Sequence, residues 1–314
     1  EEMLRRNGRL PGPMFYGNAL SVPWKKEDFE IVAEDSWLKD ISNDPLQKML
    51  DAIEQPLSLA RYRMLWSSLD RDNYARWNAA SVLAGSLHTD FHHNQLFYFD
   101  PGTGKLEFVM NDAAGHGMLN YPSTWRRIVR PFVPDHRSPL NERLHPLLDA
   151  ALRDPRFQHQ RNAALYDVLK GAGSTENQKR LIESYGVRLD ADVRADRHKG
   201  ALQDTFVGIK RMPYSNSQYD EAKSHMLAWV RGRNAFLQGE LRKASIRVVV
   251  SKRPRNGATI FMIEADGNTA TRFDPSSFGG SLRADKALDG APSEAYSETG
   301  LIHPGLREDL KYAY

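Results

Sequence analysis

A strand–turn–strand unit running from Gln95 to Met110 constrains this chain more than any other stretch, because it folds the backbone back on itself. Gln95-Leu96-Phe97-Tyr98-Phe99 and Leu106-Glu107-Phe108-Val109-Met110 are rich in aromatic and aliphatic residues, as half-buried strands are. Between them, Asp100-Pro101-Gly102-Thr103-Gly104-Lys105 is loaded with turn formers. A hairpin returns the chain to where it began. Asp90 and Asn94, just ahead of the first strand, then lie near Asp112, just behind the second, although Asp90 and Asp112 are 112 − 90 = 22 positions apart. Two carboxylates and a carboxamide at one end of a hairpin make a hard, oxygen-rich set. Such a set suits Mg²⁺ or Mn²⁺ and the phosphates those ions carry.

Around the hairpin the hydrophobic spacing is mostly helical. A short basic helix is predicted over Glu1 to Gly8, followed by an extended segment, Phe15 to Trp24. Helices are then predicted from Asp44 through Ile53, from Leu57 to Leu69, and from about Asp70 to Gly85. Their Met, Trp and Leu stripes are read as core-facing. Behind the hairpin, Ser138-Pro139 predicts a helix start and Leu140 to Leu152 an apolar stripe that Pro155 breaks. Further helices are predicted over 162–169, over Glu176 to Tyr185 with Gly186 as the stop, and over Tyr219 to Leu241. From Ala244 the pattern turns to strand, at 246–250 and 259–263, before a Gly/Ser/Ala/Pro-rich run over 274–299 that reads as loop or linker. The fold class expected is α+β: a mainly helical body over residues 1–243 built around one hairpin, with a small β-leaning segment over 244–314.

The bulk composition narrows the chemistry. With 43 basic and 40 acidic residues, the net charge of +3 is too balanced to argue for nucleic-acid or membrane partners. Cysteine is absent, which excludes disulfides, thiolate metal sites and cysteine nucleophiles. No apolar run of about 18 residues occurs, so no transmembrane helix is expected. The chain starts Glu1-Glu2-Met3 without a signal peptide and reads as cut from something longer.

His88-Thr89-Asp90 followed by Asn94 has the logic of a phosphotransfer loop, in which an acid orients the acceptor hydroxyl and a nearby carboxamide binds metal. The competing structural reading has Asp90 and Asn94 capping local turns while Asp112 ends a strand. Gly102-Thr103-Gly104-Lys105 is not a P-loop: Phe99 stands where the first glycine is needed, and Leu106 follows the lysine. The histidines His88, His92, His93 and His116, with Asp90, give a rival reading as a zinc-dependent hydrolase. Arg126, Arg127 and Arg130, or Arg231 and Arg233, suit a phosphate clamp, though the simpler expectation is the solvated side of a helix for both groups.

Taken together, Asp70 and Asp72, Trp77, Gly85 to Asp90, Asn94, Leu96-Phe97-Tyr98, Asp100 to Lys105 and Asp112 resemble the core of the CotH family. That family is named for spore-coat kinases and is widespread in bacterial surface proteins. More loosely, Glu2 to Gly17 resembles the linker after the family's N-terminal lobe, and the helix from Trp229 to Leu241 with Arg233 resembles its closing helix. The resemblance spans about residues 1–242. It implies an atypical protein kinase that uses ATP with Mg²⁺ or Mn²⁺ and phosphorylates serine on proteins. Asp90 then matches the catalytic-loop acid, Asn94 its polar partner, and Asp112, together with Asn94, the metal ligands. It also implies a cell-surface or extracytoplasmic setting for the parent protein. The chain departs from the family at Asn111, where a large residue is usual, and at Ala114, where another acid is common. These departures keep a non-catalytic interaction module on the same fold as the alternative. No segment ahead of Asp90 shows the strand pattern of a kinase N-lobe, so the chain is expected to be a C-lobe without its roof.

Overall fold

A computed structural model describes residues 8–17, 24–32, 44–85, 94–111, 140–141, 145–198, 200–205, 208–213, 215–255, 258–272, 301–302 and 312–313. The architecture is α+β and mainly helical, as expected. Among the described residues three α-helices precede the hairpin: α1 (Asp44–Glu54), α2 (Leu59–Ser68) and α3 (Arg71–Ala84). Their boundaries follow from local chemistry. Ser58 accepts the Arg61 N–H at the start of α2, and Asp70 accepts the Asn73 N–H at the start of α3. α3 stops at Gly85, whose φ of 63° closes the helix in the left-handed conformation that glycine adopts at least cost.

The hairpin forms as read, with β3 (Gln95–Asp100) against β4 (Lys105–Phe108). The sheet is larger than expected. β1 (Met14–Gly17) and β2 (Phe29–Val32), both ahead of Asp90, complete an antiparallel order β2-β1-β3-β4. The extended segment expected from Phe15 is strand as far as Gly17, its residues 18–23 lie outside the described residues, and β2 was not expected. At four residues each, these strands carry a short pattern; β3 pairs with β1 through Phe15↔Phe97 and Tyr16↔Leu96, and β1 in turn pairs with β2 through Phe15↔Ile31. Gly17 is required here: a Cβ would lie 2.4 Å from the Phe29 ring.

Behind the hairpin the order is α4 (Pro146–Leu152), α5 (Pro155–Lys170), α6 (Thr175–Ala195), β5 (Gly200–Thr205), β6 (Gly208–Pro213) and α7 (Asn216–Leu241). A three-stranded sheet follows, built from β7 (Ala244–Arg255), β8 (Ala258–Gly267) and β11 (Tyr312–Ala313), alongside the short pair β9 (Thr271–Arg272) and β10 (Leu301–Ile302). Two expectations change. Leu140 and Asn141 form a turn, not a helix, and Ser138-Pro139 lies outside the described residues. The turn is held by Arg161 of α5, which is fully buried and donates to the Leu140 carbonyl at 2.8 Å, to Asn78 at 3.0 Å, to Asn162 at 2.8 Å, and to Asn141. Gly186 does not end α6, because α7 crosses closely there: the Tyr219 hydroxyl donates to the Gly186 carbonyl at 3.5 Å. A mid-helix glycine costs only about 1 kcal/mol relative to alanine. The predicted helix over 1–8 lies, apart from Gly8, outside the described residues.

Two stability predictions follow from buried polar groups. All four acceptors around Arg161 are neutral, and burial pulls the guanidinium down to about 9, so it stays charged at neutral pH. Arg161→Met keeps the volume but strands those acceptors, and should lower unfolding free energy by about 3 kcal/mol or more in a denaturant titration. His145 caps α4 by accepting the Leu148 N–H at 3.3 Å through Nδ1, with its ring stacked on Trp24 at 5.1 Å. That bond needs the neutral ring, and burial pushes its pKa from 6.5 to about 3. The unfolded chain therefore binds a proton that the folded chain refuses. This contribution is complete above about pH 6.5 and is lost as pH falls toward about 3, at up to about 1.4 kcal/mol per unit. His145→Asn, still a good cap, should flatten the dependence of the urea midpoint on pH between those limits; equal slopes would contradict the assignment.

Candidate site at the open end of the hairpin

The turn of the hairpin is closed by Asp100, whose carbonyl accepts the Gly104 N–H at 2.8 Å and whose carboxylate accepts the Gly102 N–H at 2.9 Å. Gly104 sits at φ 69°, and the turn tip is exposed, which agrees with a hairpin turn and not a phosphate-binding loop. On the outer side, Tyr98 donates to the Leu10 carbonyl at 2.6 Å, and Arg9 pairs with Glu107.

At the opposite, open end, the ladder extends one bond beyond β4, with the Val109 N–H donating to the Leu96 carbonyl at 2.8 Å. Asn94 and Asn111 each stand two residues beyond that bond (96 − 94 = 2 and 111 − 109 = 2). Asp112 is the next residue in the chain after Asn111. Asn94 has φ 65°, and among the described residues it is the one non-glycine residue at positive φ. It is buried, and its Oδ1 accepts the Tyr16 hydroxyl at 3.2 Å. Asparagine tolerates this left-handed conformation better than most residues, so its identity suits both the backbone bend and the side-chain contact.

The hairpin is gripped from below by α3. The Asp70 N–H donates to the Leu106 carbonyl at 2.8 Å, and the Asn73 side chain accepts the Phe108 N–H at 2.8 Å, so α3 partners two backbone groups on the outer edge of β4. Trp77 packs on Phe108 with ring centroids 3.9 Å apart, while Tyr74 stacks on Trp77 at 5.4 Å. The aromatic stripe of α3 is core, as read. At its other end, Arg233 of α7 donates to the Val82 carbonyl at 3.1 Å, close to where α3 hands over to the 86–93 stretch that carries Asp90. Arg233 is buried, which corrects its reading as part of a solvated helix face; Arg231 is exposed, as expected. Cations at helix C-termini satisfy carbonyls that the helix itself leaves open.

Of the predicted site residues, Asn94 is placed by the structure. Asp90 and Asp112 lie outside the described residues, as do His88, His92, His93, His116, Arg126, Arg127 and Arg130. Among the described residues, no group of three or more acids and histidines gathers in a way that could hold a metal. The sequence reading missed Tyr16. The signal available was an aromatic in Phe15-Tyr16-Gly17 that alternates with the buried Phe15 and so faces the other side of the sheet.

The described residues thus form a mainly helical α+β body carrying a gripped, open-ended hairpin. The chain belongs to the family described as CotH kinase protein, whose model matches residues 21–237, more than half of the 314. A comparison with curated proteins gave no match. Among the described residues no helix is long and apolar enough to cross a membrane.

The backbone and side-chain roles of Asn94 are separable. Asn94→Gly removes the carboxamide without strain, whereas Asn94→Ala also forces an L side chain into the left-handed region. In thermal or urea unfolding the alanine variant should be the less stable of the two by about 1 kcal/mol. Equal stabilities would mean that the bend is not held in the folded protein.

Proposed function

We propose that this chain is the phosphotransfer part of an atypical protein kinase that moves the γ-phosphoryl group of ATP to serine on a protein substrate. The observation that carries the reading is the open end of the hairpin, where a buried Asn94 and the strand leading into Asp112 emerge together within the family-matched segment. The donor set fits the group. A carboxamide oxygen and carboxylates are hard ligands that favour Mg²⁺ or Mn²⁺ over zinc. The ion would supply charge neutralisation at the phosphates.

The protein's own residues then divide the work. Asp112 and the Asn94 carboxamide hold the metal side of the site. Asp90 accepts and orients the serine hydroxyl proton, aiming the oxygen in line with the bond that breaks. The ladder bond at Leu96–Val109 and the grip of α3 on β4 fix the open end of the hairpin up to Asn94 and Asn111, and positioning is what such a transfer mainly requires. We place the domain over residues 1–243, with a β-leaning C-terminal segment over 244–314; the family match ending at residue 237 supports that boundary.

One observation favours a second reading, a non-catalytic interaction module. Asn111 and Ala114 depart from the pattern that the resemblance implies, a large residue before Asp112 and a further acid after it, so either one metal-facing oxygen is lost or Asn111 replaces it. Transfer from labelled ATP to a serine-containing protein separates the two. The catalytic reading predicts activity with Mg²⁺ or Mn²⁺ that falls at least about 100-fold in Asp90→Ala and in Asp112→Ala. Transfer unchanged by both substitutions would refute these roles, and an inactive protein that still binds a partner without either acid would establish the module.

A further inference from the structure

Tyr16 stands on β1, directly opposite Leu96 in the antiparallel register. Asn94 lies immediately ahead of β3, whose first residue Gln95 opposes Gly17, so it is within reach of the long Tyr16 side chain. The buried Phe15 and Gly17 point the other way, packing against Phe97 and the Phe29 ring respectively. β1 is thus anchored in the core through one face and presents Tyr16 to Asn94 through the other. The Tyr16 hydroxyl donates to Asn94 Oδ1 at 3.2 Å across 78 positions of sequence.

A phenol donates a single hydrogen bond, and a carboxamide oxygen carries two lone pairs. Donation into Oδ1 decides which end of the amide is oxygen and sets the plane in which it lies. Because Asn94 also sits at φ 65°, both its backbone and its side chain are held in an arrangement that the local sequence alone would not keep.

We infer that Tyr16 is a positioning residue for the metal side of the phosphotransfer site, its hydroxyl orienting the Asn94 carboxamide toward a divalent ion. The inference rests on the functional reading above and extends it to β1, which contributes no metal ligand. Partners of this outer kind are worth about 10–100-fold in metal affinity.

The test is a Mn²⁺ titration of the full chain followed by electron paramagnetic resonance, with ATP present, on the wild type and on Tyr16→Phe, Asn94→Gly, their combination, and Asp112→Ala. Tyr16→Phe should weaken Mn²⁺ binding about 10-fold. Its melting curve should remain cooperative, which separates the effect from unfolding. In the Asn94→Gly background the same substitution should cost nothing further, because a residue acting through Asn94 has no other route to the ion. Wild-type affinity in Tyr16→Phe overturns the inference, as does an equal loss in both backgrounds. If Asn94→Gly and Asp112→Ala both bind Mn²⁺ like the wild type, the metal site itself lies elsewhere, and the functional reading falls together with the role of Tyr16.

Discussion

The candidate site depends on how α3 holds the outer strand of the hairpin. β4 is the edge of its sheet, and an edge strand presents amide groups with no neighbour to bond. Here the start of α3 supplies that neighbour through the Asp70 amide and the Asn73 carboxamide, and Trp77 lies on Phe108 one turn further along. An aromatic pair of this kind adds about 0.5–1.5 kcal/mol beyond the area it buries. Two hydrogen bonds add register, because they admit one alignment of helix and strand only. The hairpin therefore cannot slide or twist away from α3 without stranding polar groups, and its open end stays aimed relative to Gly85, where the 86–93 stretch departs.

Two buried arginines extend this frame. Arg233 ties α7 to the C-terminal end of α3, so the helix that grips the hairpin is itself gripped at its far end. Arg161 ties α5 to α3 through Asn78 and to the Leu140–Asn141 turn. From there Asn141 and Asn162 both donate to the Asn268 carbonyl, at 3.3 and 3.2 Å. The loop after β8 is thereby docked onto the helical body, and the C-terminal strands are in physical contact with the core. Buried cations bonded to neutral acceptors contribute less to net stability than to uniqueness, since any alternative packing leaves a charge without partners.

Much of this was legible in the chain, and the pattern of misses has a physical cause. The hairpin and helices α1 to α3 were readable because their signals are local: alternating aromatics, turn residues between them, Ser58 and Asp70 as caps, and Gly85 as a stop. β2 was not, and β1 only as an extended stretch from Phe15, because a four-residue strand is defined by its partners: β1 pairs with β3 through Phe15↔Phe97, 97 − 15 = 82 positions on, and β2 pairs with β1. Leu140 failed as a helix residue because a buried arginine 21 positions on claims its carbonyl. Gly186 failed as a stop because the neighbouring helix, invisible to local periodicity, fills the space beside it. At the open end of the hairpin, Asn94 stands out from its spacing to Asp90 and Asp112, whereas no local signal ties its hydrogen-bond partner Tyr16 to it.

The metal-and-phosphate site proposed at the open end of the hairpin can be observed in a crystal. A crystal of the protein soaked with Mn²⁺ and a non-hydrolysable ATP analogue, measured for anomalous scattering, tests it most directly. A manganese peak is expected at that end, within about 2.0–2.3 Å of oxygens from Asp112 and Asn94, with the terminal phosphate between the ion and Asp90. Manganese and nucleotide bound together away from these residues, with the hairpin's open end unliganded, would contradict it.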